Sequence, residues 1–456
     1  MRGGTAATAI LAAALLVPVA VALTQAEPPI ADAALFEYYG RAIVHGSRLY
    51  VDLWDNKLPG IYLVNAVLQL FFGGRYVVHA VAEALVATSS VALFAFILRR
   101  NGFAGWAPAA MIFALFVSVP PASFDSVENF ALACILAAYA LAFTRLGAVR
   151  TLGAGVAIAA AATFWVPSII MIVPLLILER HARARLAIAA SCAAALAVYA
   201  ALLVAVFGYP VVAELVRSWV VYEGRTLAEH GGGGRLGPLA GLFHGLVTSG
   251  MGVLLALLAT VLRKPSDDRQ RFALAWTACA LLAAAVPGNF FAHYFIPSVA
   301  PCLFAVAAFG IDLRLTLRRA AFAAAALFFA WRTVVWAVHA DQSVHADARE
   351  REVVGDRLRT IAGAHAVIDV EPYEPGIFLA ADAAVEDRFG MIPRVVAPPV
   401  RPGRREPDLI VVLRGAVIPA LRSASRPCGG YERWIIYLQR SDDAGLTARC
   451  RAAARP

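Results

Sequence analysis

The sequence predicts a polytopic α-helical membrane protein of about 11 spans, followed by a small C-terminal α/β domain outside the membrane. Three observations predict it. The chain is 61% hydrophobic and only 16% charged, with a mean hydropathy of +0.70; soluble domains are nearer ~45–50% apolar and ~25% charged. Several apolar runs exceed the ~18 residues that mark a spanning helix. From residue 340 the character turns polar, with short strand-like runs between helix-like and Gly/Pro/Arg-rich stretches. Residues 1–339 are therefore read as the membrane domain and 340–456 as the soluble one.

The apolar runs fall near 5–25, 76–98, 103–122, 127–145, 151–164, 167–179, 186–208, 237–263, 271–287, 294–311 and 320–338. The first is longer than a signal-peptide core and is read as a retained span. Basic residues then fix the orientation. Arg99 and Arg100 follow the second span, and Arg145 and Arg150 the fourth. Arg180, Arg183 and Arg185 follow the sixth. Arg263, Lys264, Arg269 and Arg271 follow the eighth, and Arg314, Arg318 and Arg319 the tenth. Cytoplasmic loops carry the Lys/Arg excess, so the N-terminus faces the cytoplasm and the C-terminal domain faces outward, across the cell inner (plasma) membrane. The net charge of +9 has the same origin, and no nucleic-acid partner is expected.

Two segments need a choice. Residues 60–73, GIYLVNAVLQLFFG, are too short to span and are read as an interfacial or re-entrant helix on the outer face. Residues 151–179 are split at Trp165-Val166-Pro167-Ser168, because Pro167 disfavours helix at its predecessor and one long span would put Arg180 outside. The outer face then collects the 26–60 loop, the 123–126 turn with nearby Glu128, the 165–168 turn, the 209–235 loop with its GGGG hinge, and the 288–293 turn before Tyr294.

The tail carries strand-like runs at 366–370, 408–413 and 433–439 and helix-like material at 345–361. Cys134, Cys192, Cys279 and Cys302 lie in apolar spans and are read as small packing residues. Cys428 and Cys450 lie in the tail, where an oxidising compartment lets them pair. No Cys/His spacing resembles a metal site.

The densest chemistry lies at 32–60, DAALFEYYGRAIVHGSRLYVDLWDNKLPG. It places Asp32, Glu37, Asp52 and Asp55 beside Lys57, one of only two lysines in the chain. Carboxylates are expensive in a bilayer, about +2.5–3.5 kcal/mol at a helix centre on insertion scales, and these sit at one predicted face. A carboxylate there suits a general base on a hydroxyl. A lysine and neighbouring arginines suit a phosphate leaving group. Tyr38, Tyr39, Tyr50 and Trp54 offer ring faces to a sugar, or anchor the loop among headgroups. The residues alone point to an outward-facing, lipid-edge site for a phosphorylated substrate.

The same stretch resembles the first loop of the polytopic GT-C glycosyltransferases, in the branch of protein O-mannosyltransferases, lipid A aminoarabinose transferases and the RgtA/B/C/D-like group. The likeness rests on Asp32, Tyr38, Tyr39, Gly46, Tyr50, Asp52, Trp54, Asp55, Lys57 and Pro59, with weaker echoes at HYFIPSVAP (293–301) and EPDLIVVL (406–413). It implies a GT-C-like fold and inverting transfer of a sugar from a polyprenyl-phosphate-linked donor to a glycan, lipid or protein acceptor at the outer face of the bilayer, with no metal and no cofactor. On that likeness Asp32 is the general base. Lys57, with His293 and Arg75, holds the donor phosphate, and Asp55 orients Lys57 or the donor. Glu37, Tyr38, Tyr39 and Tyr294 support them. The chain departs from the family in having Asp32-Ala33 where two acids often adjoin, with Glu37 the nearest substitute, and in having Leu58 between Lys57 and Pro59. A transporter or flippase of lipid-linked sugars is the alternative; such folds carry internal repeats, and none is found here. A non-catalytic assembly factor is the other, and the dense first loop speaks against it.

Overall fold

The computed structural model describes residues 2–23, 31–53, 55, 57–73, 76–103, 105–118, 126–144, 147–217, 219–220, 237–288, 290–310, 316–362, 367–371, 377, 381, 384–385, 409–413, 426–431, 434–438 and 444–453. Apolar sequence makes helices of most of the described residues up to 362. Three described helices are long and apolar enough to cross a membrane: Thr5–Leu23, Tyr76–Arg100 and Ala182–Phe207. Shorter apolar helices at Trp106–Val117, Val127–Ala142, Ala148–Phe164, Val166–Leu178, Ala292–Ala308 and Ala320–Trp336 complete an integral membrane bundle.

Helix α1 (Arg2–Leu23) packs on α4 (Tyr76–Arg100) and α5 (Trp106–Val117). Between them the chain forms two short helices, α2 (Ala31–Val44) and α3 (Gly60–Phe72), which pack on each other. Gly40 makes that contact possible, since a Cβ there would lie 2.6 Å from the Cβ of Asn65. Helix α3 turns its polar residues inward. Tyr62, Asn65 and Gln69 are buried while Leu63, Val67, Leu70, Phe71 and Phe72 are exposed, the polarity expected of a helix lying in lipid.

Helices α6 (Val127–Ala142) and α7 (Ala148–Phe164) lie against each other, and α7 packs on α9 (Ala182–Phe207). After α7 the chain turns at Trp165, runs as a 3-10 segment over Val166–Met171, and continues as α8 (Ile172–Leu178). An ion pair between Arg150, at the start of α7, and Glu179, just past α8, closes the hairpin. The 151–179 segment therefore returns to the end it left.

The 237–263 run, read as one span from its hydropathy, is broken. Helix α10 (Gly237–Ser249) and α11 (Met251–Val261) meet at 90°. Gly250 makes the corner at φ +77°, a conformation that favours glycine. Arg332 reaches across to donate 2.7 Å to the Ser249 carbonyl, one of the acceptors a helix end leaves open.

Helices α12 (Asp268–Ala285) and α13 (Ile296–Ala308) complete the core around Trp276, Phe272 and Phe304. Helix α14 (Thr316–Ala362) then runs for 47 residues, so the helix-like stretch expected at 345–361 is the far end of the same helix.

Beyond it lies a five-stranded sheet: β1 (Val367–Glu371), β2 (Ala384–Val385), β3 (Leu409–Leu413), β4 (Arg426–Tyr431) and β5 (Trp434–Leu438), in the order β2-β1-β3-β5-β4. The β1 pairings are parallel and the β5 pairings antiparallel. Strand β4, RPCGGY, was not expected from its composition; it is an edge strand with a register shift between Pro427 and Gly429, where Pro and Gly are tolerated. Cys428 in β4 is disulfide-bonded to Cys450 in α15 (Ala444–Ala453). The four span cysteines are free.

The described basic residues after the second, fourth, sixth and eighth apolar runs gather at one end of the bundle. Arg100 donates to the Phe143 carbonyl at 3.1 Å, Arg180 pairs with Asp268 at 2.7 Å, and Arg269 lies over the Phe103 ring. The first loop lies at the other end.

Candidate active site

Helix α2 presents Asp32 in its first turn and Phe36 one turn later. The chain leaves α2, pairs Arg48 with Asp52 at 3.1 Å on the exposed surface, and turns back at Tyr50. The Tyr50 hydroxyl donates 2.6 Å to the carbonyl of Lys57, which fixes the backbone carrying the ammonium. The Lys57 Nζ then lies 3.5 Å from Asp32 and 5.4 Å from the centre of the Phe36 ring.

Asp55 is buried and accepts a 2.5 Å hydrogen bond from the Tyr62 hydroxyl. Tyr39 is fully buried and its ring lies 5.3 Å from that of Tyr62. The start of α6 adds Glu128, which accepts from Ser126 at 2.7 Å and acts on the Lys57 charge. The turn before α13 adds His293, whose ring meets Tyr294 at 4.6 Å and Phe291 at 5.5 Å. Tyr294 in turn lies 6.4 Å from Trp165 in the α7–α8 turn.

Among the described residues, two non-glycine residues have positive φ: Tyr50 at 63° and Phe290 at 49°. Each lies in the loop that delivers a basic side chain, Lys57 or His293. Such conformations are costly and persist where the surroundings over-determine them, often at functional sites.

The electrostatics follow from this packing. The Lys57 ammonium holds the Asp32 carboxyl below its ordinary 3.8; burial opposes the shift and His293 adds to it. Burial works against the Lys57 charge, but Asp32 and Asp55 more than offset it, with Tyr294 and Glu128 contributing, so the ammonium stays protonated well above the usual lysine range. The Asp32 side chain is 60% exposed and that of Lys57 is 25% exposed, so both are reachable from outside. The arrangement offers an ionised carboxylate and a fixed cation a few ångströms apart at the rim of a helical bundle.

The structure thus brings together Asp32, Lys57, Asp55, Tyr39, His293 and Tyr294 of the residues singled out in the sequence, along with Glu128. It does not bring Glu37 to them. Glu37 lies five residues after Asp32, about 140° around the helix at ~100° per residue, and sits 3.3 Å from His79 of α4 in a buried pair. Gln69 flanks that histidine at 3.5 Å. Tyr38 lies beneath the Arg41 guanidinium, 5.9 Å from its ring centre. Arg75 and Trp54 fall outside the described residues. Tyr62 and Trp165 were missed as site-building groups. A signal for the first existed in the Tyr62, Asn65, Gln69 spacing, one polar stripe on an otherwise apolar helix. Among the described residues, no group of three or more His, Cys, Asp or Glu is arranged to hold a metal ion.

Fold and site define an integral membrane protein with a polar, ion-paired cleft at one end of a helical bundle and a sheet-bearing C-terminal segment. No family model matches the chain, and no curated protein matches it in sequence. In structure it is similar to ArnT from Cupriavidus metallidurans. The crystal structure of that protein bound to undecaprenyl phosphate gives a TM-score of 0.64 at 14% identity, over 98% of this chain and 99% of that one. Its apo form gives 0.58 at 14% identity, over 100% of both. The likeness runs the whole length of both chains and shows that this protein has the ArnT fold.

Proposed function

We propose that this chain is a glycosyltransferase that moves a sugar from a polyprenyl-phosphate carrier to an acceptor hydroxyl, with inversion, at the outer face of the cytoplasmic membrane. The observation that carries the reading is the open Asp32–Lys57 pair, 3.5 Å apart, on a fold shared with a protein crystallised with undecaprenyl phosphate. The first-loop resemblance to GT-C glycosyltransferases supports it independently.

The roles follow from the chemistry. Lys57 binds the donor phosphate and stabilises the charge that builds on it as the glycosidic C–O bond breaks. His293 lies on the same side and adds to that field. Arg75 joins them on the strength of the sequence. Asp32 accepts the proton of the acceptor hydroxyl, whose oxygen attacks the anomeric carbon on the face opposite the phosphate. Donor binding prepares the base. A phosphate that takes Lys57 away from Asp32 removes the main influence depressing that carboxyl, and its basicity rises when it is needed. Asp55, held by Tyr62, keeps Lys57 in place; Tyr39 and Tyr294 wall the cleft.

The arginine end faces the cytoplasm on this reading, with the N-terminus, and residues 340–456 form an extracytoplasmic domain. The test is transfer in vesicles holding the purified protein, a panel of radiolabelled polyprenyl-phosphate sugars and a crude envelope acceptor, with Asp32→Asn alongside. Label joined to acceptor only by the wild-type protein is the expected result. Label that crosses the bilayer without attachment would make the chain a carrier instead.

A further inference from the structure

At the end of α7 remote from Asp32, roughly 25 Å away at 1.5 Å per residue, a second polar feature lies among α6, α7, α8 and α9. It is a cavity of about 260 Å³. Its lining sets Arg150, Arg180, His181 and Glu179 beside apolar Phe143, Leu175 and Leu178. We propose that this cavity seats the phosphate headgroup of an anionic phospholipid drawn from the leaflet on that side.

Charge comes first. The cavity is where the arginine clusters of successive loops meet. Arg150 is engaged by Glu179, and Arg180 by Asp268 on the surface, where the Arg180 side chain remains 81% exposed. Arg185, which donates 2.6 Å to the Glu179 carbonyl, and Arg183 follow within one turn of α9. Cations therefore outnumber the acids beside them, and Arg180 can exchange its exposed pairing with Asp268 for a phosphate. Basic pockets between membrane helices bind anionic headgroups on this principle.

Access comes second. Helix α9, which forms one wall, is barely covered by the rest of the protein: only 6% of its apolar window is buried, and Leu186, Val198, Leu202 and Val206 stand exposed along it. Acyl chains lying on that face bring a headgroup level with the cavity, and the apolar part of the lining accepts the glycerol end. An amphipathic lining beside a lipid-facing helix fits a lipid better than it fits a soluble anion.

The proposal goes beyond the transfer reaction and does not depend on it. The test is native mass spectrometry of the intact purified chain titrated with phosphatidylglycerol, with phosphatidylcholine, and with inorganic phosphate. Phosphatidylglycerol should bind in preference to phosphatidylcholine. Arg180→Gln should weaken that binding about fivefold, the worth of one surface cation at ~1 kcal/mol, whereas Arg180→Lys should retain it. Arg217→Gln, ten residues beyond the far end of α9, should change nothing. Equal binding of the two lipids, or a preference untouched by Arg180→Gln, would overturn the proposal. So would inorganic phosphate competing as well as the lipid does, since the site would then recognise a soluble anion.

Discussion

Helix α2 carries two acids five residues apart, each set against a basic side chain, and the two pairs are opposites. Asp32 meets Lys57 at 3.5 Å with the carboxylate 60% exposed. Glu37 meets His79 at 3.3 Å with both side chains at or below 5% exposure. The first pair opens to outside the protein, on a turn held by Tyr50 and beside the His293 loop. The second is sealed between α2, α3 and α4, flanked by Gln69. On the proposed function, the same kind of group serves chemistry on one face of the helix and packing on the other. Accessibility separates them, since both acids stand near a basic partner. A carboxylate that substrate can reach, beside a cation that substrate can claim, is a reactive pair; one enclosed by protein is a structural pair whose loss leaves a buried polar group stranded.

That contrast can be broken by experiment. The largest effect belongs to Asp32. Asp32→Asn, and Lys57→Ala beside it, should lower sugar transfer by about 10²–10⁴-fold, the range of a lost general acid–base or phosphate-stabilising group, and Asp32→Asn should leave the melting temperature unchanged. Glu37→Gln should do the reverse: transfer per folded molecule within about threefold of wild type, and stability lower by about 1–3 kcal/mol from the disturbed buried pair, read as a fall in melting temperature. Tyr50→Phe removes one hydrogen bond to the Lys57 carbonyl, worth ~1 kcal/mol, and should lower transfer about fivefold while leaving donor preference unchanged.

The smallest effect concerns pH. Asp32 is held below 3.8, so the free protein keeps it ionised down through the ordinary carboxylate range. Its pairing with Lys57 is complete above that range and is lost as pH falls through the lowered value. The acid limb of kcat/KM, which reports the free enzyme, should therefore lie below the usual carboxylate position. His293→Ala removes a secondary depressing influence and should move that limb upward.

How much of this the sequence disclosed depended on the kind of signal. Asp32, Lys57 and His293 are up to 261 positions apart, yet the phase of the arginine clusters put them at one end, and the structure joins them there. Orientation is a long-range rule written in every loop, which makes it readable. The reversal at Trp165 was readable for the same reason. The break at Gly250 was not, because hydropathy is blind to a corner between two apolar helices. Glu37 was misjudged as a neighbour of Asp32, because distance along a helix was weighed without its angle. Tyr62 was hidden in a run classed as apolar, and β4 in a stretch whose Pro and Gly suggest a joint. The Cys428–Cys450 bond was legible from compartment chemistry alone. Closing a loop of 22 residues, it should stabilise the C-terminal segment by ~3 kcal/mol, seen as earlier proteolysis of that segment under reductant.

The central claim is that the exposed pair is catalytic and the sealed pair structural. The most direct measurement is sugar transfer and melting temperature, taken on the same vesicle preparations of wild type, Asp32→Asn and Glu37→Gln. The account predicts that Asp32→Asn melts like wild type and transfers nothing detectable, while Glu37→Gln melts lower and still transfers. Transfer that survives Asp32→Asn and disappears in a fully folded Glu37→Gln would contradict it.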